Sequence, residues 1–166
     1  HRMARLIAHR GPDGSDIWHD SHAGLAHTRL AIIDLSEAGR QPMHDVQGHY
    51  VLTYNGEIYN YRELREELRA AGHHFRTETD SEVILNGYRE WGEAVVDRLR
   101  GMFAFALWDE REKRLFMARD RVGQKPLFFA RFGEVFLFGS EIKSILTWPG
   151  FPRKANLQAL HQYMTY

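Results

Sequence analysis

The sequence predicts an α+β domain on three observations. Aliphatic runs bounded by turn residues come first, two amphipathic segments with helix start and stop signals follow, and four short apolar runs separated by charged or Gly/Pro turns come after them. Strands, a helical pair, more strands and then closing helices is the order of an α+β fold.

Taken in order, Met3 to Ala8 reads as the end of a helix already under way, because it has apolar periodicity but no start signal. Leu25 to Ile33 is rich in Leu, Ile and Ala, lies between Gly24 and Asp34-Leu35-Ser36, and suits a strand. Tyr50 to Tyr54 is a second strand, ending at the turn pair Asn55-Gly56, and the two are expected to share a sheet. Asn60 with Glu63 has the spacing of a capping box ahead of Tyr61, Leu64 and Leu68, with Gly72 as the stop. Thr79 with Glu82 repeats that spacing before Val83, Ile84, Tyr88 and Trp91, ending at Gly92. Met102 to Trp108, Arg114 to Arg119, Leu127 to Phe132 and Val135 to Phe138 read as an antiparallel meander. The first of these has almost no polar residue and is expected to be covered on both faces. Glu141 to Leu146 and Asn156 to Tyr163 read as closing helices joined by Trp148-Pro149-Gly150-Phe151-Pro152. There is no internal repeat and no low-complexity segment.

Composition removes several function classes. A chain of 166 residues, 43% hydrophobic, is long enough for one domain with a substantial core. Lys plus Arg equals Asp plus Glu at 22 each, so no overall positive field attracts a phosphate backbone, and nucleic acid is not an expected partner. No window approaches the ~18 to 20 apolar residues of a membrane span, and the N-terminal region carries charge and histidine where a signal peptide would be apolar. The expectation is a cytoplasmic protein without membrane contact. Ten histidines do not make a metal motif, since His73 and His74 are adjacent and no helix carries His at i and i+4 beside a carboxylate. No cysteine is present, which removes disulfides, thiolate metal sites and a cysteine nucleophile from these residues.

Several words in the sequence are specific. His9-Arg10-Gly11-Pro12-Asp13-Gly14, the run Arg29 to Asp34, and Asn55-Gly56-Glu57-Ile58-Tyr59-Asn60 come first. Thr79-Asp80-Ser81-Glu82, Gly101-Met102-Phe103-Ala104, Ala118-Arg119-Asp120-Arg121 with Gly123-Gln124-Lys125-Pro126, and Ser140-Glu141-Ile142-Lys143 follow in order. Together they resemble the class II glutamine amidotransferases over nearly the whole chain. The Asn-Gly-Glu-Ile-Tyr-Asn word and the final segment favour the asparagine synthetase branch over the sugar-phosphate and phosphoribosyl amidotransferases.

The resemblance implies an Ntn (N-terminal-nucleophile) αββα sandwich, two stacked antiparallel sheets between helical layers. It also implies glutamine hydrolysis by an N-terminal cysteine whose α-amino group is the base, with an α-amino pKa of ~7.7 to 8 near working pH. The chain starts instead with His1-Arg2 and has no cysteine. The expectation is therefore a glutaminase domain over residues 1–148 that lacks its first strand and nucleophile. Residues 149–166, with Leu157, Leu160, Tyr163 and Tyr166, form an exit segment towards an absent synthetase domain. No cofactor is expected in this domain, and ATP and Mg belong only to that second domain, because no Gly-rich pyrophosphate loop is present. Glutamine and the synthetase domain of the same polypeptide are the expected partners, and a homodimer is left open.

On this resemblance the Asn55 amide and the Gly56 N–H donate to the oxyanion formed on the substrate carboxamide, the favoured reading over that of a plain tight turn. Arg29 matches the family's arginine for the glutamine α-carboxylate, a task suited to a permanently charged planar fork; a strand Arg can also be a solvated face. Leu30, Ile32 and Ile33 add backbone or wall contacts. Asp80 matches the aspartate that pairs with the substrate ammonium, with Glu57 assisting, while an acid there also suits a helix start. Arg10 and Asp13 belong to the site wall, and Arg119, Asp120 and Lys125 read as structural. The rival reading is a non-catalytic Ntn-fold binding or assembly domain that has lost its nucleophile.

Overall fold

A computed structural model describes residues 1–34 and 36–165; Leu35 of the expected turn and Tyr166 of the expected exit segment lie outside the described residues. Helix α1 (Arg2–Leu6) opens the chain, followed by the antiparallel hairpin β1 (Gly14–His19) and β2 (Gly24–Arg29). A four-stranded antiparallel sheet then forms from β3 (Met43–His44), β4 (Tyr50–Ile58), β5 (Gly101–Asp109) and β6 (Arg114–Arg119), in that order. Between β4 and β5 the chain makes α2 (Tyr61–Ala70), α3 (Ser81–Trp91) and α4 (Val95–Arg98). The hairpin β7 (Phe128–Phe132) and β8 (Val135–Gly139) is a separate sheet, and α5 (Ile142–Ile145) and α6 (Leu157–Thr165) close the chain.

Strand alternation sends the two faces of the central sheet into two cores. Leu52, Tyr54 and Ile58 of β4 pack with Phe105 and Leu107 against Leu64 and Leu68 of α2 and Val83 and Ile84 of α3. Each such side chain contributes about 1.5–3 kcal/mol by leaving water. On the other face Val51 and Trp108 meet Leu25 of β2. Beyond this second layer α1 packs on β2, and α5 packs on β8. Helix, sheet, sheet, helix is the predicted layering, except that the second sheet layer is split into two hairpins. The expectation that β5 is covered on both faces holds, with Phe103 to Asp109 all buried.

The structure corrects several local expectations. The strand predicted over 25–33 stops at Arg29, because β1 begins at Gly14 opposite Arg29 and gives residues 30–33 no ladder partner. Strands β2 and β4 do not share a sheet; they stack, with the Thr53 hydroxyl donating across the interface to the Ala26 carbonyl. Asn55-Gly56 is not a turn, since β4 runs through it to Ile58 with Asn55 opposite Ala104 and Gly56 opposite Phe103. The meander is broken after β6, where Asp120 accepts the N–H groups of Gln124 and Lys125 and Arg119 donates to the Gly123 and Lys125 carbonyls.

Neither capping box forms, although both helices and their glycine stops are present. The Asn60 side chain bonds the Arg98 carbonyl and the Arg100 N–H, and Glu82 accepts from the Arg76 and Thr77 N–H groups. Both residues serve tertiary contacts instead. No helix among the described residues is long and apolar enough to cross a membrane.

Candidate active site

A cavity of about 860 Å³ opens between the central sheet and the split second layer. Strand β2, the 30–34 loop, the middle of β4 and strand β8 wall it. Arg29, Leu30, Ile32, Ile33, Asn55, Gly56, Glu57 and Asp80 all line it, so residues from three separate parts of the sequence meet at one place.

Ladder parity decides what Asn55 and Gly56 can do. Backbone N–H groups of alternate residues in an antiparallel strand point to opposite sides. The Tyr50 N–H goes to the Asp45 carboxylate at 2.9 Å, Leu52 pairs with Met43 of β3, and the Tyr54 N–H donates to Gln41 Oε1 at 2.6 Å. The Ile58 N–H donates to Asp80 Oδ2 at 2.8 Å. Even-numbered residues of β4 therefore turn their N–H groups away from β5, and Gly56 lies in that row. Its N–H has no acceptor among the described residues. The Asn55 Nδ2 atom next to it is buried and also without a partner. A buried donor left unpaired costs roughly 1–3 kcal/mol, so two adjacent unpaired donors at a cavity wall are suited to receiving negative charge.

Glycine at 56 is set by close approach rather than by a turn. A Cβ there would lie 2.2 Å from the Met102 carbonyl oxygen and 2.7 Å from the Phe103 Cα.

Asp80 is buried at the N-cap position of α3 but makes no side-chain cap to it; instead it accepts the Tyr54 hydroxyl at 2.6 Å through the same Oδ2 that takes the Ile58 N–H. Burial raises its pKa, and these hydrogen bonds work against that rise. Burial and the neighbouring Asp80 charge likewise push the Tyr54 hydroxyl up, so it stays a donor.

Arg29 reaches back from the end of β2 into the 34–39 loop, where Nη2 donates to the Asp34 carbonyl at 2.6 Å and the Ser36 carbonyl at 2.8 Å. Two of the five N–H donors of its guanidinium thus hold the loop, a role the sequence did not suggest. Leu30 and Ile32 are exposed and Ile33 borders on it, as loop residues on the cavity rim. Asp13 ties this loop down by accepting the Ala31 N–H at 2.9 Å. Arg10 lines the cavity and pairs with Glu141, whereas Asp13 supports the wall from behind.

Gln41 was missed by sequence reasoning. It is buried, lines the same cavity, and also donates from Nε2 to the Ser81 hydroxyl at 3.3 Å. A single polar residue before a two-residue strand has no periodicity to reveal it.

The family model for the glutamine amidotransferase domain matches residues 1–166. The chain belongs to that family. It is 48% identical over 163 residues to asparagine synthetase [glutamine-hydrolyzing] 3 of Bacillus subtilis (strain 168), covering 97% of this chain and 26% of that protein. It is 43% identical over 165 residues to asparagine synthetase [glutamine-hydrolyzing] 1 of the same organism, covering 99% of this chain and 26% of that protein. This amidotransferase domain therefore spans about a quarter of the length of the curated relatives it matches. Among solved structures, the glutamine phosphoribosylpyrophosphate amidotransferase of B. subtilis superposes with a TM-score of 0.70 at 20% identity, over 86% of this chain and 39% of that one. That likeness shows the shared fold, the Ntn-type α+β sandwich.

Proposed function

We propose that this domain hydrolyses glutamine to glutamate and ammonia, and that the ammonia serves ATP-dependent amidation of aspartate in a second domain of the same cytoplasmic polypeptide. The observation that carries the reading is the unpartnered Asn55 Nδ2 at the wall of the cavity, beside the Gly56 N–H that ladder parity turns away from β5. The two B. subtilis relatives are named as glutamine-hydrolysing asparagine synthetases, and most of their length lies beyond this domain. ATP and Mg act only in that further domain.

In this reading residues 1–148 are the glutaminase unit. Because the 166 residues hold no cysteine, we assign the nucleophile to a cysteine opening a strand ahead of His1. Among the described residues strand β2 has β1 on one side only and β8 has β7 on one side only, and both line the cavity. A strand laid between them would pair with both and unite the two hairpins into one sheet. The thiolate attacks the glutamine carboxamide carbon to form a C–S bond, and the carbonyl oxygen takes the negative charge beside Asn55 and Gly56. The C–N bond then breaks, ammonia leaves with the proton that the α-amino base took from the thiol, and water hydrolyses the thioester to release glutamate. Arg29 holds the α-carboxylate, Asp80 with Glu57 faces the α-ammonium, and Leu30, Ile32 and Ile33 close the rim.

Residues 149–166 are the passage to the second domain. Helix α6 has no buried residue, and Leu157, Leu160 and Tyr163 are exposed at helical spacing, as suits a segment covered by a following part of the polypeptide.

Glutamate release from glutamine, measured on this chain and on the complete polypeptide, tests the proposal. The chain is expected to show none and the complete polypeptide clear turnover. Activity from the chain alone overturns the cysteine mechanism. No turnover by the complete polypeptide favours the non-catalytic binding or assembly domain.

A further inference from the structure

We infer that Gln41 is a positioning residue for glutamine hydrolysis: its side chain substitutes for an edge strand and fixes the β4 backbone so that the Gly56 N–H stays open. This rests on the glutaminase reading above.

Strand β3 is two residues long and covers β4 only as far as Leu52, opposite Met43. Beyond that point the row of outward N–H groups on β4 loses its backbone partner while the strand runs on to Ile58. Two side chains take over. Gln41 Oε1 receives the Tyr54 N–H at 2.6 Å, and Asp80 Oδ2 receives the Ile58 N–H at 2.8 Å. They bracket Gly56 by two residues on each side and leave it as the open position in the row. Both brackets are anchored at the start of α3, since Gln41 Nε2 donates to the Ser81 hydroxyl beside Asp80.

The chemistry calls for glutamine here. The residue must accept from a backbone N–H and donate to a hydroxyl at once, and an amide does both without placing a charge in a buried site. A hydrocarbon of similar size leaves the buried Tyr54 N–H unpaired and lets its peptide plane rotate, and the next outward N–H along the strand is Gly56. A misplacement of the order of 1 Å at a reacting centre costs roughly 10²-fold in rate.

The test uses the complete polypeptide with Gln41→Leu and Gln41→Glu, because Glu keeps the oxygen acceptor for Tyr54. Gln41→Leu is expected to lower kcat with glutamine by about 10- to 100-fold, with KM for glutamine little changed and synthesis from free ammonia at the parent rate. Gln41→Glu is expected to recover part of kcat, because it restores the acceptor for Tyr54 but not the neutral donor to Ser81. An unchanged kcat in Gln41→Leu overturns the inference. So does equal loss of glutamine- and ammonia-dependent synthesis with no rescue by Glu, the pattern of a merely structural residue. Failure of the parent polypeptide to use glutamine at all points instead to the function proposed above. Amide exchange on this chain reads the geometry directly: Gln41→Leu is expected to speed exchange at Tyr54 and spare Leu52, and an unaltered Tyr54 amide contradicts the bracket.

Discussion

The Ile58 N–H donates to the Asp80 carboxylate at 2.8 Å, which ties the start of α3 to the last residue of β4. Through the same oxygen Asp80 holds the Tyr54 hydroxyl at 2.6 Å. A residue with both duties separates structure from substrate binding by choice of substitution. Asp80→Asn keeps an oxygen acceptor and removes the charge. It is expected to retain the melting temperature within a few degrees while raising KM for glutamine about tenfold or more. Asp80→Ala strands two buried donors and is expected to destabilise the domain by about 2–5 kcal/mol. A thermal melt and a glutamine titration on both variants check this; an unchanged KM in Asp80→Asn removes Asp80 from the ammonium site.

Arg29 also divides its work. Nη2 binds the Asp34 and Ser36 carbonyls, and the rest of the fork is assigned to the substrate α-carboxylate. Arg29→Lys retains the charge but offers a point donor in place of the planar fork. It is expected to raise KM for glutamine by roughly 30-fold, the lower end of the ~2–5 kcal/mol for a lost charged contact because the site is only half-buried. Synthesis from ammonia is expected to persist. A glutamine KM equal to the parent value contradicts the assignment.

His27 gives the domain an acid-side limit. It lies on β2 with Nδ1 3.5 Å from the Thr53 hydroxyl, and burial, reinforced by the Arg29 charge, lowers its pKa from 6.5 to about 4. As pH falls through about 6.5 the unfolded chain takes up a proton that the folded chain does not. This contribution to stability is complete above pH 6.5 and is lost as pH falls towards 4, up to about 3 kcal/mol in all. His27→Gln has no such group to titrate, and its melting temperature is expected to fall less than the parent's between pH 7 and 4.5. Parallel profiles for the two proteins would show that His27 does not carry the effect.

The parts of this account legible in the sequence are those set by side-chain pattern. Leu64 and Leu68 marked α2, Gly72 and Gly92 marked the helix ends, and the nearly continuous apolar run at Met102 to Trp108 marked a strand covered on both faces. The candidate site residues were named by resemblance, and they line one cavity. Pairing relationships were less legible. Asn55-Gly56 has the composition of a turn, yet its place in β4 is dictated by nine consecutive pairings with β5, which no local signal encodes. Asn60 and Glu82 stood at capping-box spacing, but their side chains found backbone partners far along the chain or in the preceding loop. Gln41 and Asp80 act as acceptors for a neighbouring strand, and only the assembled sheet edge reveals that role.

The central claim is that Asn55 donates to charge developing on the substrate oxygen, and Asn55→Ala in the complete polypeptide tests it most directly. In the structure this amide nitrogen has no partner, so its removal breaks no hydrogen bond of Nδ2 and is expected to leave the melting temperature unchanged. Only binding that is stronger in the transition state than in the ground state accelerates the chemical step. The expected result is a fall in kcat with glutamine of roughly 10² to 10³, with little change in KM and full synthesis from free ammonia. Parallel loss of both activities with a falling melting temperature, or an unaltered kcat, would contradict the account.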